Sequence, residues 1–126
     1  MNALLHARAA YADPTDASRT PRDVEYRAFA RATRALTETA DAKGANYARL
    51  ADALTMNRRL WATLARDLAD DGNGLPQALR AALLSLAQFV MTHTEQVLNG
   101  AETVQPLIDV NTAIMRGLRG QAGGAP

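Results

Sequence analysis

The most apolar part of the chain is residues 73–100, NGLPQALRAALLSLAQFVMTHTEQVLNG. Its apolar residues recur at intervals of three and four, as they do on one face of an α-helix. They are Leu75, Leu79, Leu83, Leu86, Val90 and Val97, with Ala82 and Phe89 widening the face. Pro76 suits the first position of a helix, and Asn99 with Gly100 suits its end. We therefore predict a central helix over 75–98 that the other segments bury.

Three further segments have helical spacing and are predicted to pack around this helix. The first runs from Thr20, a natural N-cap, to about Lys43. The second covers about 46–70, where apolar spacings of four and three alternate as in a coiled-coil seam. Its seam positions are Leu50, Leu54, Asn57, Trp61, Leu64 and Leu68. The last helix covers about 106–119, and a short helix is expected over 2–12.

The composition favours an all-α fold. Hydrophobic residues make up 48% of the chain but aromatic residues only 5%, so Ala and Leu supply most of the apolar surface, which suits close helix packing. A chain of 126 residues is long enough to bury a core as one domain. We predict a compact helical bundle of about four main helices plus the short N-terminal helix over 1–119. The tail, 120–126, is expected to be disordered.

Several classes of function are disfavoured by what the sequence lacks. The absence of Cys excludes disulfides, thiolate metal sites and cysteine nucleophiles. His6 and His93 belong to no catalytic or metal-binding motif, so we expect neither an enzyme nor a metal or cofactor site. No uninterrupted apolar run reaches transmembrane length, and Arg8 interrupts the apolar start of the chain, which argues against a signal peptide. We expect a cytoplasmic protein with no membrane insertion.

Three helices each place one polar residue on their apolar face. These residues are Asn57, His93 and Asn111, the last in the spacing Leu107, Asn111, Ile114, Leu118. One interpretation is that they fix helix register inside the bundle, as a buried Asn does in coiled coils. The other is that they line a groove that binds a partner helix. The same two alternatives, core or groove, apply to Trp61, because tryptophan is common at interface centres.

The basic residues are concentrated in one half of the chain. Residues 17–66 carry a net charge of +5, although the whole chain carries only +1. Arg27, Arg31 and Arg34 share one face of the first helix. This face is either a solvated surface or a basic ridge for RNA or an acidic protein. No aromatic residue interleaves the arginines, which argues against single-stranded nucleic acid.

Four short motifs resemble the FlaF family of flagellar biosynthesis proteins, over roughly residues 21–118. They are Asn57-Arg58-Arg59-Leu60-Trp61, Asn73-Gly74-Leu75-Pro76 followed by Leu79-Arg80, Leu107-Ile108-Asp109-Val110-Asn111, and Ile114-Met115-Arg116-Gly117-Leu118. No single motif is diagnostic, but their order along the chain is specific.

The resemblance implies a flagellin-binding export chaperone in the cytoplasm, coupled to control of flagellin production through a partner regulator, FlbT. The alternative hypothesis is an RNA-binding post-transcriptional regulator of the flagellin message, although direct RNA binding is not expected. Unassembled flagellin exposes amphipathic helices, which a helical protein with spare apolar surface can bind. The residues predicted to bind the partner are Asn57, Trp61, Arg80, Phe89, His93 and Asn111.

Overall fold

A computed structural model describes the backbone of residues 21–122 and the side chains of residues 26–118. Its elements are α1 (Pro21–Thr39), a 3-10 turn (Gly44–Asn46), α2 (Tyr47–Leu68), α3 (Gln77–Leu98) and α4 (Gln105–Ala122). These residues contain four α-helices and no strand, which confirms the predicted all-α bundle. The predicted helix over 2–12, the N-cap at Thr20 and the end of the tail, 123–126, lie outside the described residues.

The four helices form a bundle in which one of the four neighbour pairs packs much less closely than the other three. Helix α2 packs along α1 on one side and along α3 on the other, and α1 also packs along α4. Helices α3 and α4 approach each other least closely of the four neighbouring pairs. Helices α2 and α4 therefore face each other across the centre of the bundle, and the side between α3 and α4 is the most open one.

Helix α2 buries the most side chains, so the prediction that residues 75–98 form the buried centre is wrong. Nine side chains of α2 are buried, whereas α3 buries five, although α3 is the most apolar helix. On α3, Leu79 and Phe89 are 42% and 40% exposed. An apolar stripe shows which face of a helix is suited to burial, but the arrangement of the neighbouring helices decides how much of that face is buried.

The core is built on the seam that the sequence predicted for α2. All six seam positions are buried, and Trp61 is completely inaccessible to solvent. The ring of Phe29, from α1, meets the Trp61 indole edge to face, with centroids 5.7 Å apart and an interplanar angle of 81°. Phe29 is also fully buried.

Several helix boundaries differ from the predictions by a few residues. Helix α1 ends at Thr39 rather than near Lys43, and Gly44 follows with a positive φ of 57°. Helix α3 begins at Gln77, because Pro76 is its extended N-cap instead of its first helical residue. The last helix continues to Ala122, so its final turn extends into the predicted tail. Such shifts are typical, since caps and turn geometry set helix ends more than periodicity does.

Candidate partner-binding surface on helix α3

The core-facing side of α3 includes an apolar strip that its own bundle leaves partly uncovered. Leu79 and Phe89 are exposed at its two ends, and Leu83 and Leu86 lie half-buried between them. Ala82 is exposed beside them. The spacing of these residues is three or four, so they form one continuous strip. From Leu79 to Phe89 it extends about 15 Å along the helix axis.

The strip carries no charge, because the side chains of both charged residues of α3 make hydrogen bonds to α2 and the turn after it. Arg80 donates from Nε to the carbonyl oxygen of Leu68, at 3.0 Å, and from Nη2 to that of Asp70, at 3.2 Å. The Glu95 carboxylate accepts a hydrogen bond from the Arg58 guanidinium at 3.1 Å. Between Arg80 and Glu95 the sequence has no charged residue. The strip is therefore suited to an apolar surface on a partner.

Arg80, which was predicted to bind the partner, caps the end of α2 in the free protein. The last carbonyl groups of a helix have no intrahelical donor, and Arg80 supplies one to Leu68 and one just beyond it. The turn that follows is held by Asn73, whose amide donates to the Asp67 carbonyl and accepts from the Leu75 N–H. The Asn-x-Leu-Pro…Arg motif thus forms the turn between α2 and α3 and sets the direction in which α3 leaves that turn.

Replacing Arg80 with lysine is expected to lower the free energy of unfolding by about 1 kcal/mol. A single ammonium group lacks the planar fork with which arginine reaches two carbonyl oxygens at once. Chemical denaturation followed by circular dichroism measures the change. Partner binding by the folded variant should be unaltered. A variant as stable as the parent but unable to bind the partner would show that Arg80 contacts the partner directly.

Asn57, Asn111 and Trp61 form a buried chain of hydrogen bonds across the bundle, between α2 and α4. All three are completely inaccessible to solvent. The Trp61 indole N–H donates to Asn111 Oδ1 at 2.9 Å, and Asn111 Nδ2 donates to Asn57 Oδ1 at 2.7 Å. An indole nitrogen can only donate, so it fixes the orientation of both amides. Asn57 Nδ2 is left without an acceptor among the described residues.

These positions place Asn57, Trp61 and Asn111 in the closed core. The interpretation in which they line an open groove is wrong for the free protein, because no part of the three side chains reaches the surface. Their position agrees with the other interpretation, in which buried amides select one register of α2 against α4. A partner can be affected by these residues only through the fold that they stabilise.

His93 and Phe89 lie together at the edge of the strip on α3. His93 is 5% exposed, and its Nε2 lies 2.8 Å from the carbonyl oxygen of Thr103, in the connection to α4. Since that oxygen only accepts, Nε2 carries the hydrogen. The Phe89 ring stacks on the imidazole, with centroids 5.2 Å apart and planes inclined by 22°. His93 therefore packs against one side of the Phe89 ring, and the other side of that ring remains open.

The structure divides the six predicted partner-binding residues into separate locations. Phe89 and His93 lie at the strip, whereas Arg80 is a helix cap and the remaining three are in the core. Leu79 is also exposed, although the sequence predicts it as part of the buried stripe. The apolar repeat shows that Leu79 belongs to the apolar face of α3, but it does not show which members of that face remain open. Among the described residues, no cluster of His, Asp and Glu is arranged to hold a metal ion.

The family model described as flagellar protein FlaF matches residues 7–118, which include all the motifs and contacts described above. The chain belongs to the FlaF family. It is therefore a flagellar protein, and the resemblance of the four motifs is confirmed. No curated protein and no solved structure matches this FlaF chain. Within its described residues, no helix combines the length and apolarity that crossing a membrane requires.

Proposed function

We propose that this FlaF protein is a cytoplasmic flagellin-binding chaperone that supports flagellin production and export. The observation that carries the proposal is that α3, the most apolar helix of the bundle, has an uncharged apolar strip that is partly exposed. Membership of a flagellar family supports the choice of flagellin as the partner. FlbT, the regulator implied by the resemblance, is proposed as a further partner.

The strip has the properties required to hold an amphipathic helix. Its residues follow the spacing of three and four with which one helix packs along another, and a partner helix contributes anchors at i, i+3, i+4 and i+7. Leu79 and Phe89 expose large side chains at opposite ends, so both ends of a short helix segment are contacted. The strip is short, which favours a moderate affinity and release of flagellin for export.

The direct test replaces Leu79 and Phe89 together with glutamine. We expect flagellin affinity to fall about thirtyfold, corresponding to a loss of about 2 kcal/mol, because two apolar anchors are removed. Titration calorimetry with purified monomeric flagellin measures the change. Parent affinity should vary little with salt concentration, since the strip carries no charge.

The matched control places the same two glutamines elsewhere on α3, at Ala81 and Thr92. Both residues are exposed and lie on the side of the helix opposite the buried Val90. The control should bind flagellin like the parent. Equal binding by the parent and the Leu79/Phe89 variant would contradict the proposal. If that variant only converts a dimer of the free protein to a monomer, the strip serves self-association instead.

A further inference from the structure

A second surface, made of arginines, lies where α1 and α2 meet. Helices α1 and α2 enclose a cleft of about 260 Å³ near their connection, lined by Ala35, Glu38 and Thr39 of α1 and by Arg49, Asp52, Ala53 and Met56 of α2. The two helices pack along each other and are joined by a short connection, so they run antiparallel.

Beyond the cleft, both helices carry arginines along the outer edge of the surface where α1 and α2 meet. Arg31 lies one turn before Ala35, and Arg59 lies almost one turn after Met56. Because the helices are antiparallel, both steps lead in the same direction along this edge. Arg27 and Arg66 continue it, and all four side chains are exposed. We call these four residues the arginine rim.

The arginine rim has no acidic residues on the stretches that form it. Residues 27–37 and 53–66 together contain six arginines and no Asp or Glu. Of these six, Arg58 is on the side of α2 that faces α3, where it pairs with Glu95. Acidic residues reappear at the cleft, with Glu38 and Asp52. The rim is therefore a bounded patch of positive charge on a chain whose net charge is only +1.

We propose that the arginine rim binds an acidic helix of a protein partner. Arg27 and Arg31 are one turn apart along α1, and Arg59 and Arg66 are two turns apart along α2, so their guanidinium groups can match carboxylates at spacings of three and four on a facing helix. The rim lies on the α1 side of α2, and the apolar strip lies on α3, at the other side. One molecule can therefore hold two partners at the same time.

The observations favour a protein helix over RNA as the occupant. Proteins that bind single-stranded RNA stack bases on aromatic side chains, but the exposed large hydrophobic residues within 26–118 are Tyr47, Leu79 and Phe89, and none belongs to the rim. Duplex RNA presents phosphates over a longer surface than this patch. The acidic residues of the cleft limit the patch at one end. Arginine also suits carboxylates, which it binds with two parallel hydrogen bonds.

The test uses a fluorescent, alanine-rich helical peptide with four glutamates at spacings of three and four, and the same peptide with glutamines. The glutamate peptide should bind the parent, and the double variant Arg31→Glu with Arg59→Glu should weaken its binding about tenfold. The control double variant is Lys43→Glu with Arg116→Glu, two exposed basic residues outside the rim. It changes the net charge equally, and we expect less than a twofold loss.

Three outcomes would overturn the proposal. The first is equal weakening by the two double variants, which would show that only net charge matters. The second is equal binding of the glutamate and glutamine peptides to the parent. The third is tighter binding of a single-stranded or duplex RNA oligonucleotide than of the glutamate peptide at the same salt concentration, which would assign the rim to nucleic acid. Flagellin titrations of the rim variant separate this proposal from that for the strip, because flagellin binding at α3 should be unaltered.

Discussion

Replacing Trp61 with alanine is expected to lower the free energy of unfolding by about 3 to 5 kcal/mol, a large share of the roughly 5 to 15 kcal/mol of a typical domain. The side chain is fully buried at the centre of the bundle and packs edge to face on Phe29. Its removal leaves a cavity and an unpaired acceptor on Asn111. Urea denaturation followed by circular dichroism measures the loss without relying on the only tryptophan.

The companion variant Trp61→Phe separates the apolar part of this effect from the hydrogen bond. Phenylalanine keeps an aromatic ring next to Phe29 but has no N–H for Asn111 Oδ1. We expect a loss of about 1 to 3 kcal/mol, and the folded variant should bind flagellin like the parent. If Trp61→Ala melts within a few degrees of the parent and loses flagellin binding instead, Trp61 belongs to a binding groove and its core assignment fails.

The second large effect is expected for Asn111→Leu, at about 2 to 5 kcal/mol. Asn111 is the middle member of the buried chain, so its loss leaves both the Trp61 indole N–H and the Asn57 amide without partners. Each unpaired buried polar group costs about 1 to 3 kcal/mol. Denaturation of the variant and the parent under the same conditions gives the difference.

Asn57→Leu should behave differently, although Asn57 is buried to the same extent. Leucine leaves Asn111 Nδ2 unpaired, but it also removes Asn57 Nδ2, which has no acceptor among the described residues. The two changes offset each other, so stability should stay within about 1 kcal/mol of the parent, while the register of the bundle becomes less unique. Equal and large losses for the two variants would contradict this order of hydrogen bonds.

The periodicity of the sequence determined which segments are helices and which positions of α2 are buried. The alternating spacings of four and three identify all six seam residues, because a helix that is covered on one face repeats its apolar residues at that period. The polar residues Asn57, His93 and Asn111 were also predictable, since each interrupts an apolar stripe. The motifs around them identified the family.

The roles of polar side chains could not be read from the sequence. Arg80 follows a turn motif, but its contact with the end of α2 depends on where the turn places α3. Likewise, Asn111 lies 54 residues after Asn57, and only the packing of α4 across the bundle brings their amides within 2.7 Å. Contacts between side chains so distant in the chain are set by helix packing, not by local sequence.

Tertiary structure alone decided where the apolar surface remains open. Leu79 and Val90 belong to the same stripe of α3, yet Leu79 is 42% exposed and Val90 is completely buried. The sequence assigns both to one helix face, because helical periodicity fixes the direction of a side chain and nothing more. Burial depends on which other helix lies opposite, and α3 has close neighbours along α2 but few along α4. For this reason the most apolar helix leaves part of its stripe open, whereas α2 buries the most side chains among the described residues.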